Sequence, residues 1–359
     1  MQFQLSAPYK PSPGQLEAIE KLAKGFGIND SAKAKGDKRI SIQGKSPFQK
    51  QVTPANGIKQ TLLGITGSGK TFVMANMIQR LQKPTLILAH NKTLAAQLYT
   101  ELKELFPKNR VEYFISFYDY YQPESYIPTT DTYIEKDSSR NDEIERMRMH
   151  AVSSLISRND VIVVASISCI YGLGNPAYFK ELSIELKKGM AITRQSLLQS
   201  LLAIQYERND QALEGGRFRV RGDVIDVVPV YEKDILRIEL SDGKIKSLKE
   251  LDAITMDVKN PLEETMIYPA EQYVVPEEMK KRGMVQIKQE LEERLPHLPP
   301  LEAQRLSQRV KYDLEMIEEL GYCSGIENYT RHFDGRKGGE PPYVLLDYIP
   351  KDFLLIIDE

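Results

Sequence analysis

A run of glycines closing on a lysine and a hydroxyl residue defines the chemistry open to this chain. Thr61-Leu62-Leu63-Gly64-Ile65-Thr66-Gly67-Ser68-Gly69-Lys70-Thr71 starts apolar and becomes glycine-rich, and Phe72, Val73, Met74, Met77, Ile78 and Leu81 follow at helical spacing. The expected order is strand, loop, helix. Gly64, four residues, then Gly69, Lys70 and Thr71 match the spacing of a phosphate-binding loop. In such a loop the backbone from Gly64 through Ile65, Thr66, Gly67 and Ser68 to Gly69 closes N–H groups around a triphosphate at a helix start. Lys70 would lie along the β and γ phosphates, and the Thr71 hydroxyl would hold Mg²⁺. The competing reading is a glycine-rich turn that binds nothing, and the flanking strand and helix patterns weigh against it. A dinucleotide fingerprint does not fit, because Phe72 stands where its last glycine belongs.

A second chemical signal lies at the other end of the sequence. Phe353-Leu354-Leu355-Ile356-Ile357 runs into Asp358 and Glu359. An aspartate closing a buried strand binds Mg²⁺ through water, and the next glutamate orients or deprotonates the water that attacks a γ phosphate. Alone the pair is a weak signal, two solvated acids after an apolar run; with a phosphate loop upstream it becomes a strong one. Thr85-Leu86-Ile87-Leu88-Ala89 and Val161-Ile162-Val163-Val164-Ala165 are similar apolar runs, and Leu94, Leu98, Leu102 and Leu105 mark a helix between them. Alternating strands and helices of this kind make an α/β fold with a parallel sheet covered on both faces, its ligands at the strands' C-terminal ends.

Other candidates carry open alternatives. Gln15, beside Tyr9 at the start of a helix with Leu16, Ile19 and Leu22 on one face, either reads an adenine edge or is an ordinary helix-start glutamine. Tyr113 to Asp137 is dense in tyrosines, β-branched residues and prolines, which predicts a protruding hairpin. Its aromatics are either a packed cluster or a set of stacking faces for bases. Ile144, Met147, Val152, Leu155 and Ile156 place a helix after it. Short strands with tight turns from 182 to 273 predict an inserted α+β domain. There Phe218, Val220 and Val224 are expected on one face and Arg217, Arg219 and Arg221 on the other, either as a plain exposed face or as a site for phosphate or an acidic protein. Met284, Ile287, Leu291 and Leu295, then Leu306, Val310, Leu314, Ile317 and Leu320, mark a helical hairpin over 277–320, the two stripes being short for a coiled coil.

Composition sets the outer bounds. At 359 residues the chain has room for two or three domains of roughly 150 residues each. Lys and Arg total 48 against 50 Asp and Glu, so any contact with nucleic acid is local rather than spread over the surface. The stretch 29–60 is locally basic and reads as a mobile surface insert, either a solvated charge run or a DNA contact. Cys169 and Cys323 make neither a disulfide framework nor a metal clip and are expected as buried thiols in a reducing interior. His90, His150, His297 and His332 are scattered and expected to be structural or exposed. No secretory pattern or membrane-length apolar run occurs in the sequence, which gives a cytoplasmic expectation.

With these residues in place, the sequence resembles the UvrB family of the bacterial excinuclease ABC system over nearly its whole length. The resemblance is carried by Gln60-to-Phe72, Leu86-to-Leu98, Phe117-to-Pro128, Thr130-to-Asp137, Val161-to-Gly174, Phe218-to-Asp223, Ile326-to-His332 and Leu345-to-Glu359. It implies a RecA-like, superfamily 2 helicase-type ATPase of nucleotide excision repair that uses ATP and Mg²⁺. Within it, 1–181 and 274–359 form the first motor lobe, 115–140 the aromatic hairpin, and 182–273 the domain that receives UvrA. The implied roles are adenine reading for Gln15, catalysis for Lys70 and Glu359, and Mg²⁺ binding for Thr71 and Asp358. Phe117, Tyr118, Tyr120, Tyr121, Tyr126 and Tyr133 fall on the DNA-contacting aromatics, and Arg208, Arg219 and Arg221 on the partner arginines. Damaged double-stranded DNA and UvrA are the implied partners, with UvrC recruited by regions outside this sequence. The second motor lobe is also outside it, which gives an expectation of slow ATP hydrolysis. The rival readings are a superfamily 2 DNA helicase, a transcription-repair coupling translocase, and a non-catalytic UvrA-binding adaptor. The family pattern differs around Gln15, where Pro13-Gly14-Gln15-Leu16 stands in place of Gly-Asp-Gln-Pro, and Phe117 and Tyr133 exchange the usual tyrosine and phenylalanine.

Overall fold

Val161–Ala165 is apolar at every position and buried at every position, as a strand with neighbours on both sides must be. In the computed structural model it is the third strand of a four-stranded sheet ordered Leu354–Asp358, Thr85–Ala89, Val161–Ala165, Arg110–Phe114. Leu354 pairs in parallel with Thr85 and Asp358 with Ala89, and Thr85 pairs in parallel with Ile162. The structure describes residues 2–28, 52–54, 58–116, 118–122, 125–127, 129–130, 132–134 and 137–358, with only the backbone for 52–54, 58, 118–122, 126, 133–134, 137–140 and 142.

These residues divide into two compact units. One comprises Met1–Tyr113, Ser157–Ile167 and Pro350–Glu359; the other comprises Phe114–Ile156 and Ser168–Ile349. In the first unit Ser12 and Gln15 form a capping box that starts the helix Pro13–Gly25. Its Ala18, Ile19 and Ala23 pack on Val73 and Met77 of the helix Lys70–Leu81. Asn91 caps the helix Lys92–Leu105 by accepting from the Leu94 N–H at 2.8 Å.

Two expectations fail in this unit. The strand expected over Thr61-Leu62-Leu63 does not form; the strand is Ile58–Gln60, paired antiparallel with Val52–Pro54, and 61–65 run unpaired into the glycine turn. Leu63 and Ile65 stay exposed and only Leu62 packs on the core, so little burial holds that run extended. Nor is the parallel sheet covered on both faces throughout, because Leu355 and Ile357 of its edge strand are exposed. Most of the basic insert, 29–51 and 55–57, lies outside the described residues. Its described residues are that short strand pair, and Gln60 Nε2 donates to the Leu22 carbonyl at 3.0 Å.

In the second unit, Tyr118–Gln122 pairs antiparallel with Asp137–Arg140, and Ser125–Ile127 with Thr132–Ile134. The hairpin expected from the tyrosine-rich stretch therefore exists at backbone level, but Tyr113 and Phe114, expected within it, close the strand Arg110–Phe114 of the four-stranded sheet instead. Further on, Ile184–Lys187 pairs antiparallel with Glu264–Ile267, bringing the two ends of a domain together. Between them lies a six-stranded sheet ordered Glu207–Arg208, Arg217–Arg221, Val224–Val228, Ile235–Ser241, Lys244–Leu251, Val258–Leu262. The helix Arg194–Ala203 sinks Leu197 and Leu201 among Phe218, Ile225, Val227, Ile238 and Leu248 of that sheet. Helices Glu277–Arg294 and Pro300–Leu320 share a core of Met284, Ile287, Leu291, Val310, Leu314 and Ile317, with Phe333 packed among them. Both cysteines are buried thiols, and burial pushes the Cys323 thiol up to about 12.

Candidate nucleotide site and partner face

The glycine loop folds as a turn with an open helix start behind it. Gly67 and Gly69 both adopt φ of +79°, a conformation that costs other residues a backbone clash. Ser68 closes the turn, its N–H and Oγ donating to the Ile65 carbonyl at 3.2 and 2.7 Å. Helices starting at Pro13, Lys92, Pro176 and Arg194 each have an N-cap side chain that accepts from the first turn. The helix Lys70–Leu81 is started by Gly69 and has no such cap. The helices Glu277–Arg294 and Pro300–Leu320 also lack one, but they start at prolines. Here a glycine turn leads the chain into the first N–H groups, a geometry that suits an anion. Lys70 Nζ folds back along the loop and donates to the carbonyls of Gly64 and Ile65 at 3.1 and 3.3 Å.

Gln15 reaches this loop from the preceding helix. Its Nε2 donates to the Ser68 carbonyl at 3.0 Å, and a Cβ added at Gly69 would lie 2.2 Å from the same nitrogen. The glutamine braces the turn from behind, and a side chain at Gly69 would push its amide aside. Tyr9 stacks at an angle on buried Phe72, ring centroids 4.7 Å apart, and remains largely exposed, so a flat face stands beside the loop. Thr71 is the second residue of the helix. Asp358 ends its strand opposite Ala89, at the C-terminal end of the parallel sheet, while Glu359 lies outside the described residues. Two positive-φ glycines, an uncapped helix start, a lysine and a threonine hydroxyl form a donor set suited to a triphosphate with its Mg²⁺.

On the hairpin, Tyr126 stands opposite Tyr133, and Tyr118 opposite Arg140. The register slips between Tyr118 and Tyr120, leaving Asp119 as an extra residue on its strand. Phe117 lies outside the described residues. Ile127, Thr129, Thr130 and Thr132 are exposed near the tip. At the root, buried Arg148 lays its guanidinium over the Phe114 ring, 3.9 Å from the centroid, and donates to the Ile115 carbonyl at 2.8 Å. The helix Asp142–Ser157 thereby grips the strand that enters the hairpin.

The arginine face differs from expectation in two ways. Cross-strand register places Val224 opposite Arg221, Asp226 opposite Arg219, and Val228 opposite Arg217. Val224 therefore shares the arginine face, and Ile225 and Val227 join Val220 and Phe218 on the core face. The two-residue turn at Gly222-Asp223 pairs odd positions with even ones, which simple counting along the chain misses. Nor is Arg219 free, since it is held by Asp226 at 2.9 Å. Arg208 pairs with exposed Asp210 at 2.8 Å, and Arg221 is exposed. Burial alone would raise Asp226, yet hydrogen bonds from Arg237 and Arg219 hold its carboxyl below the ordinary range.

Three family models match this chain: the UvrB interaction domain over residues 184–273, the UvrB third helical domain over 278–335, and the res subunit of type III restriction enzymes over 8–170. UvrABC system protein B of Methanococcus maripaludis is 54% identical over 357 residues, covering 99% of this chain and 51% of the relative. The same-named proteins of Halalkalibacterium halodurans and Geobacillus kaustophilus are 51% and 50% identical, each covering 99% of this chain and 51% of the relative. The chain belongs to the UvrB family. It spans about half the length of the curated relatives it matches.

For this UvrB-family chain the structure brings Gln15, Ser68 and Gly69 together, and sets Lys70 against Gly64 and Ile65. Asp226 and Arg237 escaped the sequence reading, although an aspartate inside Val224-Ile225-Asp226-Val227-Val228 was a visible anomaly in an apolar strand. Arg148 gave no comparable signal, because an arginine on a helix is ordinarily solvated. His90 and His297 are exposed, His150 lies 3.5 Å from Glu232, and His332 lies 2.9 Å from Glu290. Among the described residues no helix is long and apolar enough to cross a membrane.

Proposed function

We propose that this chain is the nucleotide-binding, partner-receiving part of a damage-recognition and verification ATPase of nucleotide excision repair. The observation that carries the reading is the uncapped glycine-started helix behind a loop braced by Gln15, in a chain of the UvrB family. Backbone N–H groups from Gly67 to Thr71 bind the phosphates, and Lys70 exchanges its two loop carbonyls for β and γ phosphate oxygens. Tyr9 stands beside the base, and Gln15 turns its amide from the Ser68 carbonyl to the adenine edge. Thr71 and Asp358 hold Mg²⁺, which when bound neutralises charge on the phosphates. Glu359 orients the attacking water.

The functional division is a motor lobe of 1–181 and 274–359 with 182–273 inserted to receive UvrA. DNA handed over by UvrA meets the hairpin, whose Phe117, Tyr118, Tyr120, Tyr121, Tyr126 and Tyr133 stack on bases as the ribbon enters between the strands. UvrC acts later, through regions outside this sequence, and the protein works in the cytoplasm. Hydrolysis by this stretch alone is slow, because superfamily 2 chemistry needs a cleft closed by two lobes.

Crosslinking to a lesion-containing duplex in the presence of UvrA and ATP tests the reading. Tyr120→Ala and Tyr121→Ala are each expected to reduce crosslinking, and Lys70→Ala to abolish its dependence on ATP. Unchanged crosslinking in all three variants would sink it.

A further inference from the structure

Asp226 is 2% exposed and lies at the middle of an otherwise apolar strand. Arg219 and Arg237 stand directly opposite it on the two neighbouring strands. Its Oδ2 accepts from Nε and Nη2 of Arg219 at 3.0 and 2.9 Å, and from Nη2 of Arg237 at 3.0 Å. Its Oδ1 accepts from Arg237 Nε at 2.7 Å. One carboxylate thus meets the same edge of two guanidinium groups, and two positive charges are set against one negative. Lys249, next in the row beyond Arg237, is taken by Glu239 at 2.7 Å. The trio keeps a net positive charge.

The contrast with Arg208 shows what this geometry adds. Arg208 pairs with Asp210 where both side chains are about half exposed, at 52% and 48%, and such pairs are weak and exchange readily. The Arg219 and Arg237 side chains are 14% and 27% exposed and are tied to a carboxylate fixed in the sheet. An arginine held in this way has already lost the rotamer freedom that docking would otherwise remove.

We propose that Asp226 is a positioning residue for partner docking: it holds Arg219 and Arg237 in one orientation so that their shared charge meets an acidic patch on the partner protein. This rests on reading 182–273 as the UvrA-receiving domain. Asp226 itself touches no partner. It acts through the two arginines.

The test is the affinity of the chain for UvrA, measured on variants whose folding is checked by melting. Arg219→Lys keeps the charge and an ion pair with Asp226 but loses the two-pronged contact, and it is expected to weaken binding by at least about fivefold. Asp226→Asn is expected to weaken binding by at least about tenfold. Arg219→Gln leaves Asp226 paired with Arg237; the double variant Asp226→Asn with Arg219→Gln should lose far less than the product of the two single losses. Wild-type affinity in Arg219→Lys overturns the proposal while leaving the domain reading intact, and it does so even if Asp226→Asn fails to fold. So does an Asp226→Asn chain that melts lower but binds UvrA as tightly as wild type, or losses that multiply in full. Absence of binding by the wild-type chain overturns the domain reading and the proposal together.

Discussion

Lys70 has to leave two carbonyls before it can meet a phosphate. Its ammonium bridges Gly64 and Ile65, so the loop supplies its own substitute for the ligand's oxygens. Lys70→Ala removes charge-assisted hydrogen bonds worth roughly 1.5–3 kcal/mol, which corresponds to about 10- to 150-fold weaker nucleotide binding by titration. Gly69 fails differently on substitution. Gly69→Ala meets both the strain of φ at +79° and a methyl 2.2 Å from Gln15 Nε2. The glutamine amide is the far end of a flexible side chain and can swing aside, so the backbone cost of about 1–2 kcal/mol sets the loss. Nucleotide binding is expected to weaken about 5- to 30-fold by titration, and adding Gln15→Ala should restore little of it. The loop was legible from sequence because its chemistry is local, a short consecutive run whose residue types dictate their own turn. The bond from Gln15 to Ser68 was not, since 53 positions separate them.

At the scale of elements, close contacts decide sign. In the helix Glu277–Arg294, Gly283→Ala would ordinarily gain about 0.5–1 kcal/mol of helix propensity. Here the added Cβ would lie 2.3 Å from Phe333 Cδ1 and 3.3 Å from the His332 backbone carbon. Overpacking of about 1–3 kcal/mol outweighs the gain, and a lower melting temperature is expected in calorimetry. The three-strand row through Asp226 makes the inserted domain acid-sensitive. Folding lowers this carboxyl from its ordinary 3.8, so its contribution is present above that value and is lost as pH falls through the lower folded one. Denaturant melts at pH 5 and pH 3 should show a loss of stability in wild type and a smaller one in Asp226→Asn. The apolar periodicity of these strands was readable in advance; the pairing of Val224 with Arg221 was fixed by turn length and went astray in simple counting.

Across the molecule as a whole, the antiparallel pairing of Ile184 with Ile267 closes the inserted domain on itself, with its own core of Leu197, Leu201, Phe218, Ile225 and Ile238. A piece spanning 182–273 is expected to fold alone, with a single cooperative melt and dispersed amide resonances, and to bind UvrA with nearly the affinity of the whole chain. A molten fragment would show instead that the domain depends on its surroundings. The order of residue types was enough to specify the glycine loop, three of the four strands of the sheet, the hairpin and the helical stripes, because each is set by residues a few positions apart. It took the folded chain to put Leu354–Asp358 beside Thr85–Ala89, to brace Ser68 with Gln15, and to give Arg219 to Asp226. Those contacts join distant stretches or depend on strand register, and a register is chosen by the whole buried face at once.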